Sequence, residues 1–505
     1  MEALPSVLYI TDTMLNQIEE RRRIVSRGLN KNTQSALGQF FTPQSIASFM
    51  TGLFTNLDLP ELAILDPGAG IGSLSAPVLE QALRKSKGKC YLTAFEVDTG
   101  LINELRKTVQ IISDLYIKED RKLTATLHNQ DFVVQGVQQI LSSRTDRYDC
   151  IILNPPYKKI NSSSTHRKLL RRAGIETVNL YTAFVWLAIK LLKDQGQLVA
   201  IVPRSFCNGP YYRPFREFML SEVSIEQIHL FEARNKAFGD DDVLQENVIL
   251  HVTKGKPQGP INISTSQDAR FTDYHKWSVP FEQVVKPKDK EAYIFIPFRE
   301  GESVYTASEE LYHSLTDINC QVSTGPVVDF RVKPYLHQEL TINRAALIYP
   351  AHFDGWTVRH PVTMPKKSNT IDINETTRKQ LLPTGYYTLV RRFSAKEEKR
   401  RIVARVFRPE SVDSDLVGFE NHLNVYHFNK QGLEEELAFG LATFLNSVVV
   451  DDYFRLFSGH TQVNVTDLKH LKYPSRTNLC KLGHWAKKQK HFDLNEIDKH
   501  VKSIL

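Results

Sequence analysis

Cysteine is scarce and unpaired. The 505 residues hold five, Cys90, Cys150, Cys207, Cys320 and Cys480, with no CxxC and no paired spacing. That excludes a disulfide-stapled fold and a zinc framework and makes a reducing compartment the default. Long hydrophobic runs are missing too: no stretch approaches the roughly 20 apolar residues of a membrane span. The N-terminal region, with Glu19, Glu20 and Arg21 to Arg23, has no apolar secretory core. A cytoplasmic chain without a membrane partner or a metal site is therefore expected. Neither sign of charge dominates, since 64 Lys and Arg against 57 Asp and Glu leave +7. That mild excess suits a polyanionic partner but falls well short of a histone-like tail. Internal repeats and low-complexity tracts are absent.

What is present is enough for more than one core, with 41% hydrophobic and 24% charged residues. At roughly 150 residues per domain, two to four domains are expected. From 62 to 254 short apolar runs alternate with helical patterns, the signature of a parallel sheet wrapped by crossover helices. The strands are expected at 63–66, 91–96, 123–128, 149–154, 197–202, 225–231 and 246–252. Leu74, Val78, Leu79 and Ala82, and Leu180, Phe184, Leu187, Ala188 and Leu191, recur at helical spacing. Gly, Pro and Lys interrupt this pattern in the stretch TKGKPQGP, 253–260. The reading is an α/β domain over 1–255 with an N-terminal helical extension over 1–35, a linker over 256–290, and an α+β domain over 291–505.

Three motifs carry chemistry. Leu65-Asp66-Pro67-Gly68-Ala69-Gly70-Ile71-Gly72 lies where a buried strand turns into a helix, and its glycines allow close approach of a ligand at the carboxyl edge of the sheet. Glu96, in Phe95-Glu96-Val97-Asp98, ends the next strand, where an acid accepts from ribose hydroxyls. A carboxylate at Asp66 beside the glycines repels phosphate and suits a sulfonium or amino group, favouring S-adenosylmethionine over NAD. The third motif, Asn154-Pro155-Pro156-Tyr157, follows the strand that starts at Tyr148. The prolines stiffen the backbone so that the Asn154 side-chain oxygen and the Pro155 carbonyl converge on one amino group, preparing its nitrogen to attack an electrophilic methyl. Tyr157 offers a face for a planar base.

These motifs, with Gly38-Gln39-Phe40-Phe41-Thr42-Pro43 ahead of them, resemble the gamma group of N6-adenine DNA methyltransferases, the TaqI-like modification methylases. The resemblance covers 36–254. It implies a Rossmann-like S-adenosylmethionine-dependent catalytic domain followed by a C-terminal target recognition domain. It also implies site-specific methylation of adenine N6 in duplex DNA after base flipping. Phe41, Thr42 and Pro43 would line the methionine end of the cofactor, although Thr42 as N-cap and Pro43 as first helical residue also make a plain helix start. Asp66, Gly68, Gly70, Glu96 and Asn154 would complete the cofactor site. Asp131 would accept from the cofactor adenine with Phe132 packed on its ring, or Asp131 is a solvated turn acid. Phe238 matches the family's second aromatic against the flipped base, while Leu180 and Phe184 read as core. The overall layout is similar to the PstI and BsuBI methylases, which modify CTGCAG.

Two basic clusters suit phosphates. The stretch 158–172 holds Lys158, Lys159, Arg167, Lys168, Arg171 and Arg172 with no acid. The stretch 391–408, beginning Arg391-Arg392, mixes basic and apolar residues as an element whose outer face meets DNA. Near the C-terminus Gln462 and Asn464 could read base edges or phosphates, or Asn464 caps the helix that follows. The rival readings are an RNA or protein-glutamine methyltransferase, since this motif presents amino and amide nitrogens alike, and a DNA-binding specificity protein without catalysis. A monomer is expected, with any cognate restriction nuclease a separate protein.

Overall fold

A computed structural model describes residues 13–28, 41–232, 246–301, 311–363, 367–395 and 398–505. The chain divides into two units, 1–302 and 303–505.

In the first unit the apolar runs form strands β1 (Glu61–Asp66), β2 (Lys89–Phe95), β3 (Leu123–His128), β4 (Tyr148–Leu153), β5 (Leu192–Pro203), β6 (Val223–Phe231) and β7 (Asn247–Lys254), each within a few residues of its expected place. With β8 (Ile261–Ser266) and β9 (His275–Val279) they make one sheet in the order β3-β2-β1-β4-β5-β7-β6-β8-β9. Strands β1 to β5 are parallel, and β7 runs antiparallel between β5 and β6. Successive side chains alternate between faces. Ile64, Cys150 and Ile152 join one core, and Leu65, Ile151 and Leu153 the other.

Helices cover both faces. One core is closed by α1 (Thr13–Gly28), α2 (Gln44–Gly52), α3 (Ser75–Lys85) and α4 (Thr99–Lys118). The other is closed by α5 (Phe132–Leu141), α6 (Thr165–Arg172), α7 (Leu180–Leu191) and α8 (Arg213–Glu222). The strand order reverses between β1 and β4, the crevice where open α/β sheets bind ligands.

The expected linker at 256–290 is instead part of the sheet. β8 pairs parallel with β6 and β9 antiparallel with β8, burying Ile261, Ile263 and Trp277. The Gly- and Pro-rich stretch is a fastened turn: Gly255 sits at φ +69° against Asp194, and the Gln258 amide donates to Leu220 O (3.1 Å) and Val223 O (2.7 Å). Glycine and proline punctuate turns and linkers alike, so the boundary moves from the 256–290 stretch to 302.

The second unit is α+β. A six-stranded sheet runs Gln321–Thr324, Leu423–His427, Tyr387–Arg391, Ala404–Phe407, Thr357–Val358, Phe353–Asp354. A five-stranded sheet runs Leu336–His337, Thr370–Asp372, Arg344–Ile348, Leu416–Phe419, Leu381–Pro383. Helices Glu435–Leu445 and Arg476–Ala486 touch backbone to backbone, because a Cβ at Gly440 would lie 1.9 Å from Leu479 O and one at Gly483 1.8 Å from Glu436 O. Among the described residues no single helix is long and apolar enough to cross a membrane.

Candidate active site

Asp66 ends β1 and the chain turns through the glycine loop. Gly70 and Gly72 adopt left-handed φ of +54° and +91°. A Cβ on Gly70 would come within 3.0 Å of the Phe41 ring, so glycine is what lets that ring lie against the loop. Asp66 shares a strand face with Ile64, two residues back, and that face is the one α3 covers. Its side chain is therefore fully buried behind the loop, where Ser75 Oγ at the head of α3 donates to Oδ2 at 2.6 Å. Burial lifts the carboxyl to about 7, against the pull of Ser75 and the Gly68 amide and with help from the charge of Glu96. The acid expected to face a cation instead braces the glycine loop.

Glu96, one residue past β2, faces the cleft beside this loop. Its Oε2 accepts from Gly70 N (2.9 Å) and its Oε1 from Asp98 N (2.8 Å). Burial raises its carboxyl despite those amides. Each oxygen keeps a further lone pair for a ligand hydroxyl.

Asp131 is the N-cap of α5, with Oδ1 accepting from Val133 N (2.8 Å) and Val134 N (3.2 Å). Its Oδ2 accepts from His166 Nε2 at 2.8 Å, which disposes of the free turn acid. Burial works to lift the Asp131 carboxyl, but His166 and the two amides outweigh it and hold it low. The bond to Asp131 raises the His166 imidazole against burial and the charge of Lys158. The imidazole's contribution to stability is complete below its ordinary 6.5 and is lost as pH climbs through the raised value. The carboxylate's is complete above its ordinary 3.8 and is lost as pH falls through the lowered value. His166→Ala should thus lower the thermal midpoint more at about pH 6 than at about pH 9. An equal deficit at both would show that the ion pair contributes nothing.

At the next strand, β4 runs into Asn154. Asn154 Nδ2 donates to Thr42 Oγ1 at 3.1 Å, and Tyr157 Oη donates to Asn154 Oδ1 at 3.1 Å and towards Ile201 O at 3.3 Å. Thr42 was expected as a helix N-cap, but Pro43 holds that position, one residue later, and the buried Thr42 hydroxyl meets the Asn154 amide. The Tyr157 ring is half-buried, edge-on to Tyr181 at 6.3 Å.

Together these elements enclose a cleft of about 980 Å³, including its solvent-filled mouth. Phe41, Gly68, Gly70, Glu96, Asp131, Phe132, Asn154 and Pro156 line it; Thr42, Pro43, Asp66, Pro155 and Tyr157 stand outside its wall. Leu180 and Phe184, read as core, also line it, with Phe184 5.1 Å from the Phe132 ring. His166 was not anticipated. Its signal lay in the histidine within the basic stretch, but its pairing with an acid 35 residues away is visible only in three dimensions. Phe238 lies outside the described residues.

The basic stretch after Tyr157 separates into two kinds of residue. Its base is fastened by Ile160 N to Val178 O (2.7 Å) and Leu180 N to Lys158 O (2.8 Å). Lys158, Lys159, Lys168, Arg171 and Arg172 are exposed. Arg167 is not: it is buried and ion-paired with Glu176, which also holds Arg171 at 3.1 Å. In the second cluster, too, four of the eight cations are held internally. Arg391 pairs with Glu398, Arg400 with Asp498 at 2.5 Å, buried Arg401 donates to Ser394 Oγ at 3.0 Å, and Arg405 stacks 4.0 Å over Phe492. Asn464 is a helix cap, in a capping box with Asp467.

Residues 76–238 match the family model of the Eco57I restriction-modification methylases. Over 480 residues the chain is 47% identical to the type II methyltransferase M.BsuBI of Bacillus subtilis, covering 94% of each chain. It is 40% identical over 465 residues to the type II methyltransferase M.PstI of Providencia stuartii, covering 92% of each. Among solved structures its fold is similar to that of the type IIL restriction-modification enzyme MmeI in complex with DNA, with a TM-score of 0.53 at 11% identity over 91% of this chain and 72% of that one. The chain belongs to the type II methyltransferase family of M.BsuBI and M.PstI.

Proposed function

We propose that this chain is the modification enzyme of a restriction-modification system and transfers a methyl group from S-adenosylmethionine to N6 of an adenine in a specific duplex sequence, with CTGCAG as the expected site. The observation that carries the chemistry is Asn154, at the wall of the cleft, with its amide tethered at both ends.

The cleft suits the proposed donor. It combines apolar walls at Phe41, Phe132 and Phe184 with two carboxylates, Glu96 and Asp131, and among the described residues its basic lining is Lys158 and the Asp131-bound His166. Acids there disfavour a pyrophosphate and favour a nucleoside that carries a cation. Glu96 would accept from the ribose hydroxyls and Asp131 from the adenine amino group, while Phe132 packs on the ring. S-adenosylmethionine supplies a methyl on a sulfonium, an electrophile that needs no further activation. The protein's task is then the target nitrogen. Asn154 Oδ1 and the Pro155 carbonyl accept its two N–H bonds, which leaves the nitrogen lone pair aimed at the methyl and holds the base in line. Tyr157 borders the same place, and its hydroxyl bond to Asn154 Oδ1 sets the orientation of that oxygen.

Expression in cells lacking endogenous adenine methylation, followed by long-read modification sequencing, should reveal methyladenine confined to one motif. Finding none, with S-adenosylmethionine binding intact, would overturn this reading in favour of an RNA or glutamine-amide acceptor or a catalytically silent DNA-binding protein.

A further inference from the structure

In the second unit four loops that are distant in sequence meet at one edge of the sheets. Asn421 N donates to Val327 O (2.9 Å), which starts the loop after 327 beside the turn at Asn421 and His422. Arg392 N donates to His422 O (2.8 Å), while Val463 N donates to Arg392 O (2.8 Å) and Ser394 N to Thr461 O (2.9 Å). These bonds fasten the segment after strand Tyr387–Arg391 between that turn and the loop that precedes helix Val465–His470. Phe393 and Gln462 are partners across a β-bridge.

The side chains this junction presents are unusual for a bare surface. Phe330 is 72% exposed and Phe393 40% exposed. The Arg331 guanidinium lies 5.6 Å over the Phe330 ring, and the Phe393 ring sits 5.1 Å from the His422 imidazole. The local acids are already engaged: Asp329 pairs with Lys367, and buried Glu420 accepts from His422 Nδ1 at 2.5 Å. What remains is cationic and rich in unused hydrogen-bonding groups. Among the described residues Arg392 makes one side-chain bond, Nη1 to Asn421 O at 3.2 Å. Among the described residues the Gln462 side-chain amide has no hydrogen-bond partner. The remaining guanidinium donors of Arg392 and the Gln462 amide are thus available to a ligand. Two exposed aromatics at the same junction ask for a partner surface.

We propose that this junction is the base-reading face of the second unit, with Arg392 and Gln462 contacting base edges in the major groove of duplex DNA and Phe330, Arg331 and Phe393 packing along the same duplex. The assignment rests on the function proposed above. The two side chains are the right kinds: an arginine fork matches guanine O6 and N7, and a glutamine amide matches adenine N6 and N7. Arg391, Arg400 and Asn464, adjacent in sequence or charge, are tied internally and fall outside the assignment.

The test uses the full chain and duplexes that carry the methylated motif or a single base-pair change in it. Arg392→Ala and Gln462→Ala, with Arg392→Lys and Gln462→Glu as shape-preserving companions, should each relax discrimination at one base pair by about tenfold to a hundredfold. Their circular dichroism and S-adenosylhomocysteine affinity should match wild type. Arg331→Ala should instead weaken every duplex alike and lower the salt slope by about one. A uniform loss across all duplexes with Arg392→Ala and Gln462→Ala, or unchanged selectivity, overturns the assignment. A wild-type chain that methylates no duplex overturns the underlying function instead, and the wild-type reaction reports that separately.

Discussion

Asn154→Ala lowers methyl transfer to duplex DNA by about a hundredfold to a thousandfold, the scale of deleting one preorganised hydrogen-bonding group at a reacting centre, and leaves affinity for S-adenosylmethionine near wild type. The reason is the division of labour within the cleft. Glu96, Asp131, Phe132 and the glycine loop stand at the ends of β1 and β2 and the head of α5, whereas Asn154 follows β4 and bonds to Thr42 and Tyr157. Alanine removes the oxygen that holds the target amino group, together with the bonds to Thr42 and Tyr157, and trims one lining side chain of the cleft, but it leaves Glu96, Asp131 and Phe132 in place. Pro155, which contributes a backbone carbonyl, survives the substitution. A tritium-transfer assay measures the rate and an equilibrium titration the affinity. Transfer above a tenth of wild type would remove Asn154 from the reaction, and a parallel loss of affinity would make it a cofactor residue.

Much of this site could be read from the chain because its motifs are local. Glycines at a strand-to-helix turn, an acid one strand on and two prolines after an asparagine each encode their geometry within a few residues, and all lie at strand ends that the sheet order brings to one crevice. The readings that changed depended on which partner each side chain meets once the chain is folded, even where that partner stands seven to nine residues away. Asp66 was expected to face a ligand, but strand alternation turns it towards Ser75. Arg167 and Arg391 looked like phosphate contacts until Glu176 and Glu398 were seen to hold them. Charge counts cannot tell a paired cation from a free one, because they do not say which acid the fold turns towards which base. The linker reading failed for a related reason: the turn at 253–260 has a linker's composition, and only the pairing of β8 with β6 shows that the sheet continues. Arg392 and Arg391 are adjacent in sequence, yet one is bound to Glu398 and the other to a single carbonyl.

Thr42 offers the sharpest separation between two roles for one residue. The resemblance to gamma-group methylases places it against the methionine end of the cofactor, whereas here its hydroxyl accepts from Asn154 Nδ2 at 3.1 Å. An asparagine amide is nearly symmetric in shape, and a half-turn about its last torsion would exchange the accepting oxygen for a donating NH2. That exchange would point a donor at the donor of the target base. Thr42 and Tyr157 hold opposite ends of the amide and oppose this rotation. Thr42→Val, which keeps the shape and deletes the acceptor, should therefore lower kcat by about tenfold to a hundredfold, the usual cost of a misplaced catalytic group, with little change in cofactor affinity. Thr42→Ser should restore most of the rate, because it retains the oxygen. Tyr157→Phe loosens the other end, and once either tether is gone the second has less left to hold, so the double variant should lose less than the product of the two single losses. If Thr42→Val instead weakens cofactor binding while kcat stays level, the hydroxyl belongs to the cofactor, and Asn154 is oriented by Tyr157 and the stiff Pro155-Pro156 backbone alone.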